Sequence, residues 1–462
     1  MIRPALLCLA VLLPACVSTS AEPAFRDVAH LVETRTAGRI FWNQGGAADE
    51  AVGHRIRELL GQDLSMDAAI QIALLNNRDL QALYEELSIA QADLVQAGLL
   101  QNPTFSGGVS VPVAGPGVQT GFDLSVAQDF LGLLLVPARK KIAGAELEAT
   151  KLRVADAVLR TALDVQTAYY ALLAAQQVLD MRRTMLDTAD AAVAVAEAQH
   201  TAGNISDLDL VNERTLYEQL RTDVKRSEAD VVVAREALTR ILGLWGMDAV
   251  FHVPSKLPDP PPAEAPLDHL ESLAIGRRLD LASAHERTQA LSHAAAMAKN
   301  YRFVGAATAG VTFERSPEGF SAITPNASLE LPLFDQKQAA VARSEALARQ
   351  SQARESALAV DIRSEVRAAR GRLIAIREVV DRYAKVVVPL REQAVSLSQE
   401  QYNAMLLGAY QLLAAKQSEV NAYREFIEAL RDYWIARTDL ERALGMAIPS
   451  GPSAAPSAGA KP

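Results

Sequence analysis

The same order of events occurs twice along this chain, about 200 residues apart, and this duplication limits the possible folds more than any other feature. In the first copy Ser65 and Asp67 open a helical pattern that passes through Asn77-Arg78-Asp79-Leu80 to Gly98. Asn102-Pro103 then introduces an apolar, Gly-rich stretch. In the second, Arg278-Leu279-Asp280-Leu281 sits in a helical pattern that reaches Asn300, and another Gly-rich stretch follows. Each copy continues with a long helical pattern, a small break and a second helix. The copies are separated by Pro254 to Pro266, a Pro-rich run expected to form a stiff, extended linker.

The long patterns carry a coiled-coil period. Leu358, Ile362, Val366, Ala369, Leu373, Ile376, Val380, Tyr383, Val387, Leu390, Ala394 and Leu397 follow one another at steps of three and four. The first copy repeats this less regularly through Val158, Ala162, Val165, Tyr169, Leu172 and Leu179, after a start near Pro137. A continuous helix from Pro137 to His200 would be a rod of roughly 90 Å, too long for a compact globule. Pro389 should bend its helix, because it removes one backbone donor and clashes with the preceding turn.

The Gly-rich stretches read as hairpins. Between Asn102 and Gln128 the only charge is Asp123, with Gly115-Pro116-Gly117 as the turn. From Phe303 to Leu333 the flanks VGAATAGVTF and FSAITPNASLELPL enclose Glu314-Arg315-Ser316-Pro317-Glu318-Gly319. Strands of about 10 residues match a tilted crossing of a bilayer. Four strands cannot close a barrel, and an open edge in lipid strands its backbone groups, so copies must combine. Two chains would give eight strands and three would give twelve; both are permitted.

Beyond the first residues no apolar run approaches the roughly 18 needed for a membrane helix. The start reads as an export signal: Arg3, an uncharged run from Pro4 to Leu13, and then Leu13-Pro14-Ala15-Cys16, which is similar to a bacterial lipobox whose cysteine is lipidated. Val17 follows that cysteine, where Asp would favour retention in the inner membrane. Cys8 and Cys16 are the only cysteines, so the body has neither disulfides nor a cysteine metal site. A net charge of −9 without a basic stripe argues against nucleic acid. The sequence has no G-x-S-x-G, P-loop or dinucleotide fingerprint, and His285-Glu286 lacks the second histidine of a zincin. Met181 and Met185, one helical turn apart, are read as seam packing rather than as a metal pair.

The breaks after the first long helices complete the pattern. They read His200-Thr201-Ala202-Gly203-Asn204-Ile205-Ser206-Asp207-Leu208-Asp209-Leu210-Val211-Asn212 and Tyr402-Asn403-Ala404-Met405-Leu406-Leu407-Gly408-Ala409-Tyr410-Gln411-Leu412. With Leu99-Leu100-Gln101-Asn102-Pro103 before the first strand and Val388-Pro389-Leu390 ahead of Tyr402, the chain resembles the TolC-like outer-membrane efflux channels, in their lipid-anchored branch, over nearly its whole mature length.

The resemblance implies a mainly α fold with a membrane β-barrel: duplicated coiled coils and two hairpins per chain, three chains forming one twelve-stranded barrel and an α-helical periplasmic tunnel. It implies a passive exit duct in the outer membrane of a Gram-negative bacterium, lipid-anchored and extending into the periplasm. The implied partners are two further copies, a periplasmic adaptor, an inner-membrane pump of the RND type and outer-membrane lipid. No catalysis, metal site or cofactor is implied, apart from the covalent lipid on Cys16. The periplasmic gate falls at the breaks, with Asp209 favoured and Asp207, Asn212 and Gln411 as further candidates. Asp207 reads alternatively as a helix N-cap. His200 stands for the family's usual Tyr, Met405 for its Gly, and Gln411 and Ala414 for the gate aspartates of some members, so an acidic ring must come mainly from Asp207 and Asp209. The expected organisation is a signal (1–15), an anchor segment (16–63), a first repeat (64–250), the Pro-rich linker (251–275), a second repeat (276–447) and a disordered tail (448–462). The competing reading, a periplasmic coiled-coil adaptor or a structural lipoprotein without a pore, would lack membrane-crossing hairpins.

Overall fold

The computed structural model describes residues 18–36, 38–111, 113, 120–264 and 268–448. Cys16, the export signal, the Gly115-Pro116-Gly117 turn and the tail beyond residue 448 lie outside the described residues. Backbone contacts divide the chain into two units, one combining Tyr84–Val154 and Asp280–Leu358 with the segment ending at Val28, the other Ala29–Leu83, Ala155–Leu279 and the part from Ala359 onward.

The first unit holds all four strands: β1 (Thr104–Ser110), β2 (Gly121–Asp129), β3 (Ala307–Arg315) and β4 (Ser321–Leu329). The two hairpins join through β2 and β3 into one antiparallel sheet of order β1-β2-β3-β4, with Leu124 opposite Phe313 and Val126 opposite Val311. Side chains alternate between its faces. Phe105, Val109, Phe122, Leu124, Val126, Val311, Phe313, Ile323 and Pro325 fall on one face, and Ser106, Asp123, Ser125, Thr312, Thr324 and Asn326 on the other. The polar face is cross-linked by bonds from Ser106 to Ser125 (2.6 Å) and from Asn326 Nδ2 to Thr312 Oγ1 (2.9 Å). The apolar face is bare, with Phe105 and Val109 each 70% exposed. Helix α1 (Glu22–Glu33) begins in this unit, where Phe25 packs edge-on against buried Tyr84 and Asp27 pairs with Lys151 at 2.9 Å.

The second unit is helical and repeats one arrangement. In the first copy α2 (Ala47–Leu60) and α3 (Met66–Asn76) precede α4 (Arg78–Gly98), and in the second α7 (Leu270–Arg277) precedes α8 (Leu279–Asn300); beyond Leu83 and Leu279, α4 and α8 belong to the first unit. The single helical pattern expected through residue 77 is therefore two helices. Ser65 caps the first by accepting from Ala68 N, and Asn77, extended at φ −60° and ψ 123°, breaks the run and caps the next helix by accepting from Leu80 N. Arg278 makes the same break at φ −64° and ψ 121°. Both breaking residues are buried and polar. Asn77 Nδ2 donates to Ile241 O and Asn76 Nδ2 to Leu242 O and Gly243 O, at the C-terminus of α6 (Asp207–Leu242). Arg278 donates to Arg442 O and Ala443 O, at the end of α11 (Ala409–Leu444), and to Glu365. Each copy thus supplies a buried donor to carbonyls that the final turn of a helix leaves without a partner.

Helix α5 runs Leu131–Thr201, 71 residues without interruption, and so starts before Pro137 rather than near it. Asp129 starts it by accepting from Leu131 N at 2.9 Å, which leaves Pro137 in the second turn. Val158, Ala162, Val165, Tyr169, Leu172 and Leu179 are all buried. In the second copy Ile362, Val366, Leu373 and Val380 are buried along α9 (Gln338–Arg382), as the heptads require.

Past Val387 the seam shifts. A π-helical turn spans Tyr383–Val387, with Val388 N–H donating to Tyr383 O, before α10 (Val388–Asn403) continues. A π turn adds one residue to the helical circuit. Val388 is consequently buried while Leu390 and Leu397 are 58% and 49% exposed, one position away from the predicted seam. The interruption expected at Pro389 takes this form, an extra residue inserted just ahead of the ring that cannot donate.

The Pro-rich run takes no helix or strand from Phe251 to Glu264 and is held along its length. Leu257 N donates to Gln177 Oε1, Trp434 Nε1 to Pro258 O and Arg377 to Pro262 O, while Tyr433 bonds Glu264. None of the helices among the described residues is long and apolar enough to cross a membrane.

The α5–α6 and α10–α11 connections share a backbone. Gly203 N donates to His200 O and Asn204 N to Gln199 O; Met405 N donates to Tyr402 O and Leu406 N to Gln401 O. Both are left-handed helix terminations, with Gly203 at φ +74° and Met405 at φ +59°. Met405 holds this conformation although it carries a Cβ, which the left-handed region disfavours. Replacing Met405 with Gly should therefore stabilise the protein by up to about 1 kcal/mol, read as a higher midpoint of thermal unfolding. Leu373→Ala, in the seam, should cost about 2–5 kcal/mol by the same measurement.

Candidate functional site

The α5–α6 turn is built from two short-range devices. Ser206, extended at φ −82° and ψ 162°, is the N-cap of α6, and its hydroxyl accepts from Asp209 N. Asp209 returns the contact: its Oδ2 accepts from Ser206 N at 3.2 Å and from Ser206 Oγ at 2.7 Å, closing a capping box. The capping role read for Asp207 therefore belongs to Ser206 with Asp209. These bonds stabilise the ionised form and hold the Asp209 carboxyl below its ordinary range. Asp207 projects into solvent, its side chain 94% exposed, and bonds His200 Nε2 at 2.6 Å. His200 thus engages the neighbouring acid.

The second turn has the same backbone and a different chemistry. Gly408 is the N-cap of α11 and has no side chain to cap with. The space that a Cβ would need there is taken by the Gln411 carboxamide, so Gln411 at the third helical position lies back over the cap as Asp209 does, without its charge.

Between the turns lies a cleft of about 440 Å³, lined from α5, α6, α10 and α11. Asp209 and Asn212 line it; Asp207 and Gln411 do not. Its apolar wall includes Met181, Met185 and Val195, which places the two methionines in the cleft lining. Tyr402 and Tyr410 face it from the second copy. Among the described residues no group of three or more histidine, cysteine or acidic side chains could hold a metal ion.

Glu213 also lines the cleft and was not singled out from the sequence. It lies one helical turn beyond Asp209, a spacing that sets the two acids on one face. Burial, and then the Asp209 charge, push its carboxyl above the ordinary value of 4.5. The cleft therefore holds one acid shifted down and one shifted up. Arg214 grips Glu197 Oε1 at 2.7 and 3.2 Å across the α5–α6 pair. Tyr383 donates to Glu425 at 2.9 Å across the other pair, and Tyr423 bonds Glu392 there as well.

These features have counterparts in known proteins. The family model described as outer membrane efflux protein matches residues 69–244. No curated protein matches the chain. Among solved structures, a membrane protein from Pseudomonas aeruginosa superposes with a TM-score of 0.71 at 21% identity, over 82% of this chain and 92% of that one. The CmeC outer membrane channel of Campylobacter jejuni gives 0.72 at 15% identity, over 84% and 86%. The MtrE outer membrane channel of Neisseria gonorrhoeae, in its open state, gives 0.67 at 18%, over 83% and 89%. The duplicated helices and the paired hairpins give the chain the fold of these outer membrane channels, and its residues 69–244 match the outer membrane efflux protein family.

Proposed function

We propose that three copies of this chain form a passive exit duct of a tripartite efflux system, receiving solutes from an inner-membrane pump of the RND type through a periplasmic adaptor. The observation that carries this reading is the sheet: four strands, one apolar face, one polar face and two open edges. Such a sheet is a barrel wall with lipid on one side and water on the other, and it cannot remain open in hydrocarbon. Three copies supply twelve strands. The rod without a pore has no use for this sheet.

Cys16 carries the lipid in this reading, and the mature chain starts there. Helix α1, fastened by Phe25 and Asp27, holds the residues that follow the anchor. The periplasmic gate lies at the helix turns. Asp209, fixed by its cap and facing the cleft, sets the local negative potential; Asp207 adds an exposed charge, Asn212 a neutral polar group, and Gln411 keeps the second turn uncharged. Repeated by threefold symmetry, these acids attract cations and repel one another.

Four outcomes are expected. In single-channel recordings, Asp209→Ala should reduce cation preference and block by multivalent cations, Asp207→Ala less so; unchanged selectivity and block in both would remove the acidic gate while leaving the duct intact. On acidification Glu213, whose carboxyl is shifted up, takes its proton before Asp209, so cation preference should fall in two stages, and Glu213→Gln should abolish the first. Because the Asp209 carboxyl is shifted down, its cap is complete above pH 3.8 and is lost as the pH falls through the lower folded value; hydrogen exchange at residues 206–210 should accelerate only there. Cys16→Ala should abolish incorporation of labelled palmitate, and a wild-type chain lacking acyl mass would refute the anchor.

A further inference from the structure

Reading the sheet as one third of a barrel leaves a question that the backbone answers: which residues meet where one copy joins the next. Three hydrogen bonds set the phase. Phe130 N donates to Ala307 O at 3.0 Å, Glu330 N to Ala306 O at 2.9 Å and Ser316 N to Phe320 O at 2.9 Å. In an antiparallel ladder, pairs that exchange both bonds alternate with pairs that exchange none. The even residues of β4 therefore turn their amides toward β3. The odd ones, Ser321, Ile323, Pro325, Ala327 and Leu329, turn theirs to the open edge. Carried through β3 and β2, the same alternation leaves Phe105, Gly107 and Val109 as the outward residues of β1.

On both edges these outward residues are also the ones on the apolar face. Pairing odd with odd thus satisfies the backbone and continues the apolar face unbroken, whereas a slip by one residue fails on both counts. Pro325 is the exception among them. It occupies an outward position and has no N–H to give.

Closure narrows the register further. A walk straight across the sheet from Gly107 meets Leu124, Phe313 and Ile323. In a closed barrel the walk returns displaced by the shear, which threefold symmetry divides equally among the copies and which continuity of the two faces requires to be even. Tilt follows the ratio of shear to strand number, about 36° when they are equal. For twelve strands the observed range of about 35–45° admits a shear of about 12, and about 18 at its upper margin, or roughly four or six residues per copy. Only one direction of stagger overlaps β4 with β1; the other sets Pro325 against residues that precede β1.

We propose that β4 of one copy pairs with β1 of the next, odd against odd, with Pro325 opposite Val109 or Val111, so that one hydrogen bond of every joint between copies is missing by construction. The proposal rests on the trimeric barrel reading. The carbonyl facing Pro325 receives no donor, which makes the joint weaker than the ladders within each copy and favours separation of the barrel into whole subunits rather than rupture of a subunit's own sheet.

Full-length protein purified from outer membranes in detergent tests this. Pro325→Val supplies the donor and should raise by several degrees the temperature at which trimers separate into monomers on heated SDS gels. Ala327→Pro removes a second donor from the same edge and should lower it. In a Cys16→Ala background, Pro325→Cys combined with Val109→Cys or Val111→Cys should give covalent trimers on oxidation, while combination with Gly108→Cys or Ser110→Cys should not. Unchanged separation temperatures in both proline variants, or cross-links confined to the even positions, would overturn the proposed joint while the trimer stands. Monomers throughout, wild type included, would overturn the trimer and the joint with it.

Discussion

A helix cannot satisfy its own last carbonyls, and the helical unit of this protein is organised around that fact. Both α6 and α11 end at a left-handed glycine, Gly243 and Gly445, and both present their final carbonyls to a buried polar residue that sits between two shorter helices. In the first copy the donors are the amides of Asn76 and Asn77; in the second it is the guanidinium of Arg278. Because each donor stands where one helix stops and the next begins, satisfying the long helix also fixes the break between the two shorter ones. Arg35 adds a further tie, donating to Arg277 O at 2.7 Å and so binding the residues that follow α1 to the same junction. The Pro-rich run then passes over the helices, and its carbonyls, which no ladder uses, accept from Trp434 and Arg377.

Much of this was legible in the sequence, and the parts that were not share a cause. Apolar period is a statement about burial, so Val158 through Leu179 and Ile362 through Val380 could be placed in advance. Low charge, turn residues and strand length likewise pointed to the hairpins. What the period does not encode is a change of phase: the π turn at Tyr383–Val387 leaves a sequence that still counts in threes and fours while the buried stripe has moved. Polar residues were harder. Asn77 and Arg278 read as members of continuous helices because their partners are carbonyls more than 160 positions away. Ser206 was passed over in favour of Asp207, although serine followed three residues later by an acid is a recognisable capping signal. Glu213 could have been found from its spacing to Asp209, since a partly buried acid one turn from a charged one feels that charge.

The two helix turns show how far duplicated segments can diverge while keeping one backbone. Gly203 and Met405 adopt the same left-handed geometry, and Ser206 and Gly408 the same extended cap, yet the first turn is closed by a hydroxyl and a carboxylate and the second only by a neutral carboxamide lying over a glycine. Charge, capping and a histidine contact are all concentrated in the first copy. The cleft between the turns is accordingly lopsided, acidic where α6 enters it and aromatic where Tyr402 and Tyr410 do.

The phase change before α10 has a geometric corollary. The residues that the heptads assign to the seam, Leu390 and Leu397, remain apolar after the seam has moved to Val388, so α10 carries two apolar stripes rather than one. A helix with a single stripe terminates a layer, since everything beyond it meets water. A helix with two can stand between two neighbours, each against its own stripe, and a row of such helices has no obligatory last member. That is the condition for a wall that curves until it meets itself, and here a single residue inserted into one turn gives α10 its second stripe.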